Sequence, residues 1–323
     1  MKEERIKNEY DPSNLSNSSV PVVELRDVVK KFGKKTVLDS VTYALEPGSV
    51  FALLGENGAG KTTTIRMILG ETLPTSGQIN VFGLNPSKFV SEIRSRVGFV
   101  PETPSLYTYM TVRQLGKFAS AFYPQGYMAE YARRCEEFGL APDVKIKSLS
   151  KGMKAKASLA LALSHDPDLL VLDEPTSGLD ALVRRQFLEN IADLAAAGKT
   201  VFLSSHQTAE VERVADRVAF LKDSKIVLNE KLDDLKATTQ TIVLTIVGEN
   251  ALDDSFAALF ASLFNGPVVD VERYGARFRV LGRKVADNFD ERLKSALGER
   301  LKEASVERPS LEEIFVAYMS ERK

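Results

Sequence analysis

Gly55-Glu56-Asn57-Gly58-Ala59-Gly60-Lys61-Thr62 reads as G-x-x-x-x-G-K-[ST], the pattern of a phosphate-binding loop. Its flanks suit that pattern. Residues 49–54 form a short apolar run with the character of a buried strand, and residues 62–69 continue as a helix stopped by Gly70. Glycines let backbone N–H groups turn toward phosphate oxygens, and a helix N-terminus adds partial positive charge. In such a loop Lys61 reaches the β- and γ-phosphates, and the Thr62 hydroxyl holds Mg²⁺. The bland alternative is a glycine-rich turn without a ligand. The strand before the loop and the helix after it argue against that.

Working upstream, residues 20–29 read as a strand, followed by Lys30-Lys31-Phe32-Gly33. A second strand at 41–45 turns through Glu46-Pro47-Gly48 into the strand that feeds the loop. Phe32 falls on the edge where a nucleotide base would project, so its ring either stacks on adenine or packs in the core. Downstream, strands are expected at 78–82 and 97–100, the latter ending in Pro101-Glu102-Thr103-Pro104. The prolines exclude regular structure there, which places Glu102 on a loop at a strand end. Residues 103–163 then turn helical, with apolar residues at helical spacing in 112–122 and 128–138.

Ser148-Leu149-Ser150-Lys151-Gly152-Met153 opens a long Ala- and Leu-rich helix, with Ser150 placed as its N-cap. Asp168-Leu169-Leu170-Val171-Leu172-Asp173-Glu174 is a buried strand that delivers two carboxylates at its C-terminal end. Ligands bind at that end in open α/β sheets. Leu179-Asp180 leads into a helix to about residue 197. The next strand, 200–204, closes with Ser205-His206 on the same edge as Asp173 and Glu174. His165, the other histidine, reads as a surface or capping residue. A hairpin around Asp223-Ser224 ends the first unit near residue 236.

Residues 239–323 read as a separate piece with the order βαββαβ, that of the split-βαβ, ferredoxin-like motif. Residues 1–19 carry almost no apolar content and are expected to be a disordered tail without a signal core. The 323 residues are 44% hydrophobic and 27% charged with net charge -1, so no global field attracts nucleic acid or anionic membrane. No apolar run approaches the ~18 residues of a membrane span, and a cytoplasmic protein is expected. The single cysteine, Cys135, excludes an internal disulfide and reads as a partly buried helix residue without a role.

Taken together, these residues resemble the nucleotide-binding subunits of ABC transporters over 22–232. Gly55 to Thr63 looks like the family's phosphate loop: Gly55, Glu56, Asn57, Gly58, Ala59, Gly60, Lys61, Thr62 and Thr63 would hold ATP. Phe32 takes the place of the adenine-stacking aromatic. Leu149-Ser150-Lys151-Gly152-Met153 is similar to the signature LSGGQ, with Ser150 and Gly152 kept and Lys151 and Met153 departing. Asp173-Glu174 resembles the strand-end Asp and catalytic Glu, Ser177-Gly178-Leu179-Asp180 the loop that crosses the dimer, and His206 the switch histidine. Glu102 stands where the family usually has Gln. Variants with Ser-Lys-Gly-Met and Pro-Glu are familiar among ABC-2 type drug, antibiotic and peptide export ATPases, as is an ending like 309–315.

The resemblance implies a P-loop ATPase domain over 20–236, a mixed α/β sheet with a helical subdomain at about 103–163. A small C-terminal α+β domain follows at 239–323. It further implies two subunits, identical or paralogous, sandwiching two ATP molecules between one chain's loop and the other's Ser150 region. Glu174 would be the general base, His206 would bridge it to the γ-phosphate, and Thr62, Glu102 and Asp173 would serve Mg²⁺. A multi-span permease in another chain would hold the subunit at the cytoplasmic face. Leu106, Tyr107, Tyr109 and Met110 either face that permease or fill the insertion's core. The rival reading is an ABC ATPase acting on ribosomes or nucleic acid. Those usually carry two cassettes or long coiled coils, and this chain has one cassette and no concentrated basic patch.

Overall fold

The computed structural model describes residues 20–123, 125–247 and 254–320. The tail expected at 1–19 lies outside the described residues. The chain opens with β1 (Val23–Phe32), β2 (Lys35–Leu45), β3 (Val50–Gly55), α1 (Lys61–Ile68), β4 (Ser76–Val81), α2 (Val90–Ser95) and β5 (Val97–Val100). Three helices follow: α3 (Val112–Ala119), α4 (Tyr127–Glu137) and α5 (Lys151–Leu163). Next come β6 (Leu169–Asp173), α6 (Ala181–Ala196), β7 (Thr200–Ser205), α7 (Thr208–Val214), β8 (Arg217–Lys222) and β9 (Lys225–Lys231). After α8 (Leu232–Thr238) the last unit runs β10 (Thr239–Ile246), α9 (Asp254–Ser262), β11 (Val268–Tyr274), β12 (Arg277–Arg283), α10 (Phe289–Leu297), β13 (Leu301–Glu307) and α11 (Leu311–Met319).

The central sheet has the order β5-β6-β7-β3-β8-β9, parallel except for β9. Every residue of β3, β6 and β7 is buried, which is why these strands read as unbroken apolar runs. A smaller antiparallel sheet, β2-β1-β4, covers one face. There Tyr43, Phe51 and Phe202 stack with centroids 4.9 and 5.7 Å apart along the series. The first strand extends past the expected end at 29 to include Phe32. Register shifts between Leu25 and Lys31 break its two-residue period, and that hides its length from a pattern reading.

The other face of the central sheet carries α5 and α6, with the helical insertion packed beyond them. Thr111 starts α3 with a capping box to Gln114. Tyr131 fills the middle of the insertion, and its hydroxyl donates to the Val112 carbonyl at 3.0 Å. Gly116 admits that ring: a Cβ there would lie 2.1 Å from it. Cys135 is fully buried beside Tyr131 rather than partly buried, and burial pushes its thiol pKa up.

The last unit forms an antiparallel sheet of order β11-β12-β10-β13, with α9 and α10 on one face. This unit has its own sheet, and it also packs on the first unit. Helix α11 lies between the other face and the first unit, where Phe315 and Tyr318 meet Phe220 of β8 edge-on at 5.3 and 5.7 Å. Leu311, Ile314 and Ala317 share one core with Val211, Leu228 and Leu235. Arg283 pairs with Glu230 at 2.6 Å, and Lys222 Nζ donates to the Ser320 carbonyl at 2.7 Å. A helix that is apolar on more than one side cannot be left at the surface, so it joins the two units.

Candidate active site

The loop after β3, the end of β6 and the end of β7 meet because these strands are neighbours in register. Leu54 pairs with Ser205, and Asp173 with Ser204. Lys61, the first residue of α1, is buried and donates through Nζ to the carbonyls of Gly55 at 2.6 Å and Glu56 at 3.2 Å. The same ammonium lies 3.0 Å from Glu174 Oε1. Oε1 has no well-aligned hydrogen bond, so this contact is Coulombic. Oε2 of Glu174 lies 2.7 Å from His206 Nδ1 and accepts from the His206 N–H at 3.3 Å. Nδ1 is therefore committed to Glu174, leaving Nε2 for a third group.

Asp173 is buried, and its Oδ1 accepts from the Ser204 hydroxyl at 2.6 Å. The Glu174 N–H donates to the Ser204 carbonyl at 3.1 Å and to its hydroxyl at 3.2 Å. These bonds hold Glu174 at a φ of +47°, an uncommon conformation for a residue with a side chain. Gly60 begins α1 at φ +119°, with Leu38 2.8 Å from where a Cβ would stand. No side chain caps the start of α1, and Gly58 is open on its outer side. Uncapped N–H groups, a buried ammonium and an open glycine fit a polyphosphate. Thr62 is exposed at the first turn of α1, and Thr63 beside it is half-buried.

Behind Glu174 lies a layer that sequence reasoning missed. Buried Glu210 of α7 accepts from the Thr176 hydroxyl through Oε2, and its Oε1 lies 3.1 Å from Arg184 Nε. Arg184 also donates to the Leu179 carbonyl at 3.1 Å. Burial pushes the Glu210 carboxyl above its ordinary range, with nearby Glu174 adding to the rise against the pull of Thr176 and Arg184. This set ties the loop after Glu174 to the helix after His206. The available signal was Glu210, four residues past His206 and one of two acids in a short helix.

The remaining candidates are dispersed. Phe32 is 54% exposed, so core packing is excluded, and Lys30 Nζ lies 4.6 Å from its ring. Glu102 is exposed two residues beyond Val100, whose strand partner Leu172 precedes Asp173. Ser150 caps α5 by accepting from the Met153 N–H at 3.2 Å. Gly152 packs on Val183, and Asp180 caps α6 through the Leu182 and Val183 N–H groups. Among the described residues, no hydrogen bond or ion pair joins Ser150, Gly152 or Asp180 to the loop of their own chain.

His165 is neither a free surface residue nor a cap: it stacks on Tyr123 at 4.5 Å. Tyr107 and Tyr109 are exposed, with tilted rings, and Tyr107 continues edge-on into Phe118 and Phe122, whereas Leu106 and Met110 pack against the core. Among the described residues no helix is long and apolar enough to cross a membrane.

Residues 38–177 match the ABC transporter family. The probable multidrug ABC transporter ATP-binding protein YbhF of Escherichia coli (strain K12) is 38% identical over 221 residues, covering 67% of this chain. The chain spans only 38% of the length of YbhF. The Nod factor export ATP-binding protein I of Burkholderia pseudomallei (strain 1710b) is 40% identical over 215 residues, 64% of this chain and 70% of that protein. Among solved structures, an ATP-binding subunit of an ABC transporter superimposes with TM-score 0.61 at 33% identity, covering 67% of this chain and 92% of that one. The dimeric cassette MJ0796 superimposes with TM-score 0.59 at 23% identity over 65% of this chain and 98% of that one, a likeness of fold.

Proposed function

Because this chain belongs to the ATP-binding family of ABC transporters, we propose that it hydrolyses ATP to drive export through a permease carried on a separate chain. The observation that carries this is buried Lys61 paired with buried Glu174, which exposed His206 holds from the other side, at the mouth of a phosphate loop. Lys61 is held by backbone carbonyls and one carboxylate, partners it exchanges for the β- and γ-phosphates of the substrate. That exchange releases Glu174 Oε1 to orient water and accept its proton, while His206 keeps Oε2 in place. Mg²⁺ would be held by Thr62, Asp173 and Glu102 and would neutralise phosphate charge.

The site on one chain has donors on one side only. Its completion by the Ser150–Gly152 turn of a second copy, or of a paralogous subunit, agrees with the absence, among the described residues, of a hydrogen bond or ion pair between that turn and its own loop. Closure of the pair on ATP and reopening after hydrolysis form the work stroke. The exposed series Tyr109, Tyr107, Phe118 and Phe122 is the surface we assign to the permease, since clustered exposed aromatics mark interaction sites. The substrate class follows the relatives' names only as far as export. The test is purification of the tagged chain from membranes: Mg²⁺-dependent ATPase activity together with a co-purifying multi-span protein is expected. Recovery with ribosomes or nucleic acid instead would overturn the transport assignment.

A further inference from the structure

We propose that the C-terminal unit holds a binding site for a small organic cation, an alkyl ammonium, in the cavity between its sheet and α11. The cavity encloses about 230 Å³. Its floor is one face of the sheet, where the ladder sets Asp270, Leu281 and Thr241 in one row and Glu272 and Arg279 in the next. Its roof is α11, through Glu312, Glu313 and Val316. Four carboxylates against one guanidinium leave a formal charge of -3 on the lining. Arg279 is already committed, paired with Glu313 and 3.9 Å from Glu272. The Ser310 N–H and that guanidinium hold the Glu313 carboxyl below the usual carboxylate range, so it stays charged. Asp270 and Glu312 have no ion-pair partner among the described residues.

A second observation is independent of this charge. Thr241 is 1% exposed, lines the cavity, and its hydroxyl has no hydrogen-bond partner among the described residues. A buried hydroxyl without a partner is costly, and an ammonium supplies the donor that its oxygen lacks. Leu281, Val316 and Ala317 give an apolar wall for a short aliphatic body. The rival occupant of an acidic hollow is a hydrated divalent ion, which needs several converging oxygens. Among the described residues no group of three His, Cys, Asp or Glu is placed to hold a metal. Occupancy fixes α11 on its sheet, and the far side of α11 presses Phe315 and Tyr318 onto Phe220, in the strand beside β3. The site is thereby placed to report to the phosphate loop.

Calorimetric titration of the full chain with 1,4-diaminobutane tests this, with 1,4-butanediol as the uncharged isostere and CaCl2 as the metal control. Saturable binding of one diamine per chain is expected, with none for the diol. Asp270→Asn and Glu312→Gln should each weaken it by about tenfold, since each removes one charge-assisted contact. Val316→Trp, on an exposed helix position, fills the cavity without changing its charge and should abolish binding while ATP affinity is unchanged. The proposal is overturned by absence of saturable diamine binding, or by binding that Val316→Trp leaves intact. Preferential Ca²⁺ binding lost in Asp270→Asn would overturn it equally, by making this a metal site.

Discussion

Glu174 occupies a backbone conformation that costs roughly 1–3 kcal/mol for a residue with a side chain, and its carboxylate is buried beside Lys61. Buried ion pairs contribute little net stability, so strain and desolvation at one residue point to chemistry. Glu174→Gln keeps the length and a hydrogen-bonding group for His206 but removes the base. Phosphate release should fall on the order of 10²–10⁴-fold, with ATP affinity within a few-fold by calorimetry. Unchanged turnover would take Glu174 out of the mechanism. Glu102 is the other informative residue, because a carboxylate replaces the family's usual amide. Its charge should favour metal-bound over metal-free nucleotide. Glu102→Gln should therefore bind metal-free ATP more tightly and need more Mg²⁺ for half-maximal hydrolysis. If neither quantity moves, Glu102 is simply a solvated loop residue.

Among the elements, α4 shows how a periodic pattern can be right while its consequence stays hidden. Its Tyr127 and Tyr131 lie on one side with rings 6.4 Å apart, Tyr123 ahead of the helix stacks on Tyr127 at 4.6 Å, and His165 closes the series on Tyr123. Burial lowers the His165 pKa below its ordinary value of about 6.5, with the Val97 backbone and Asp166 pulling the other way. The unfolded chain thus takes up a proton near pH 6.5 that the folded chain resists. The stability tied to neutral His165 is full above that pH and is lost progressively as pH falls toward the folded value. His165→Phe keeps the stacking and removes the titration. Its melting temperature should fall less between pH 7 and pH 5 than that of the parent chain, and equal slopes would assign the pH dependence to other groups.

For the whole molecule, the interface between the two units decides what truncation does. Every nucleotide motif lies before residue 232, which makes the C-terminal unit look removable. Yet α11 covers Phe220, Val211 and Leu235, all without solvent exposure, and Met319 lines a cavity beside the phosphate loop with Glu56 and Asn57. Removing several buried apolar side chains from their cover costs on the order of 5 kcal/mol. A chain ended after Lys236 should melt roughly 10–20 °C lower and still bind ATP below its transition. A truncated chain with the parent's melting temperature would show that the shared core contributes nothing.

Glycines, a lysine and a hydroxyl at fixed spacing specify a phosphate loop without help from distant residues, because the loop's conformation is set locally by the positive φ of Gly58 and Gly60. Apolar runs ending in Asp173, Glu174 and His206 likewise placed those groups at one sheet edge, since a buried parallel strand can carry polar residues only at its ends. The reach of β1 was obscured by bulges, and the burial of His165 by rings that come from another element. Only the tertiary structure joined Glu210 to Thr176 and Arg184, and α11 to Phe220. Those contacts span long stretches of chain, and their partners carry no spacing rule. Which buried surfaces meet is decided by the packing of the whole chain, and no local window of sequence holds that information.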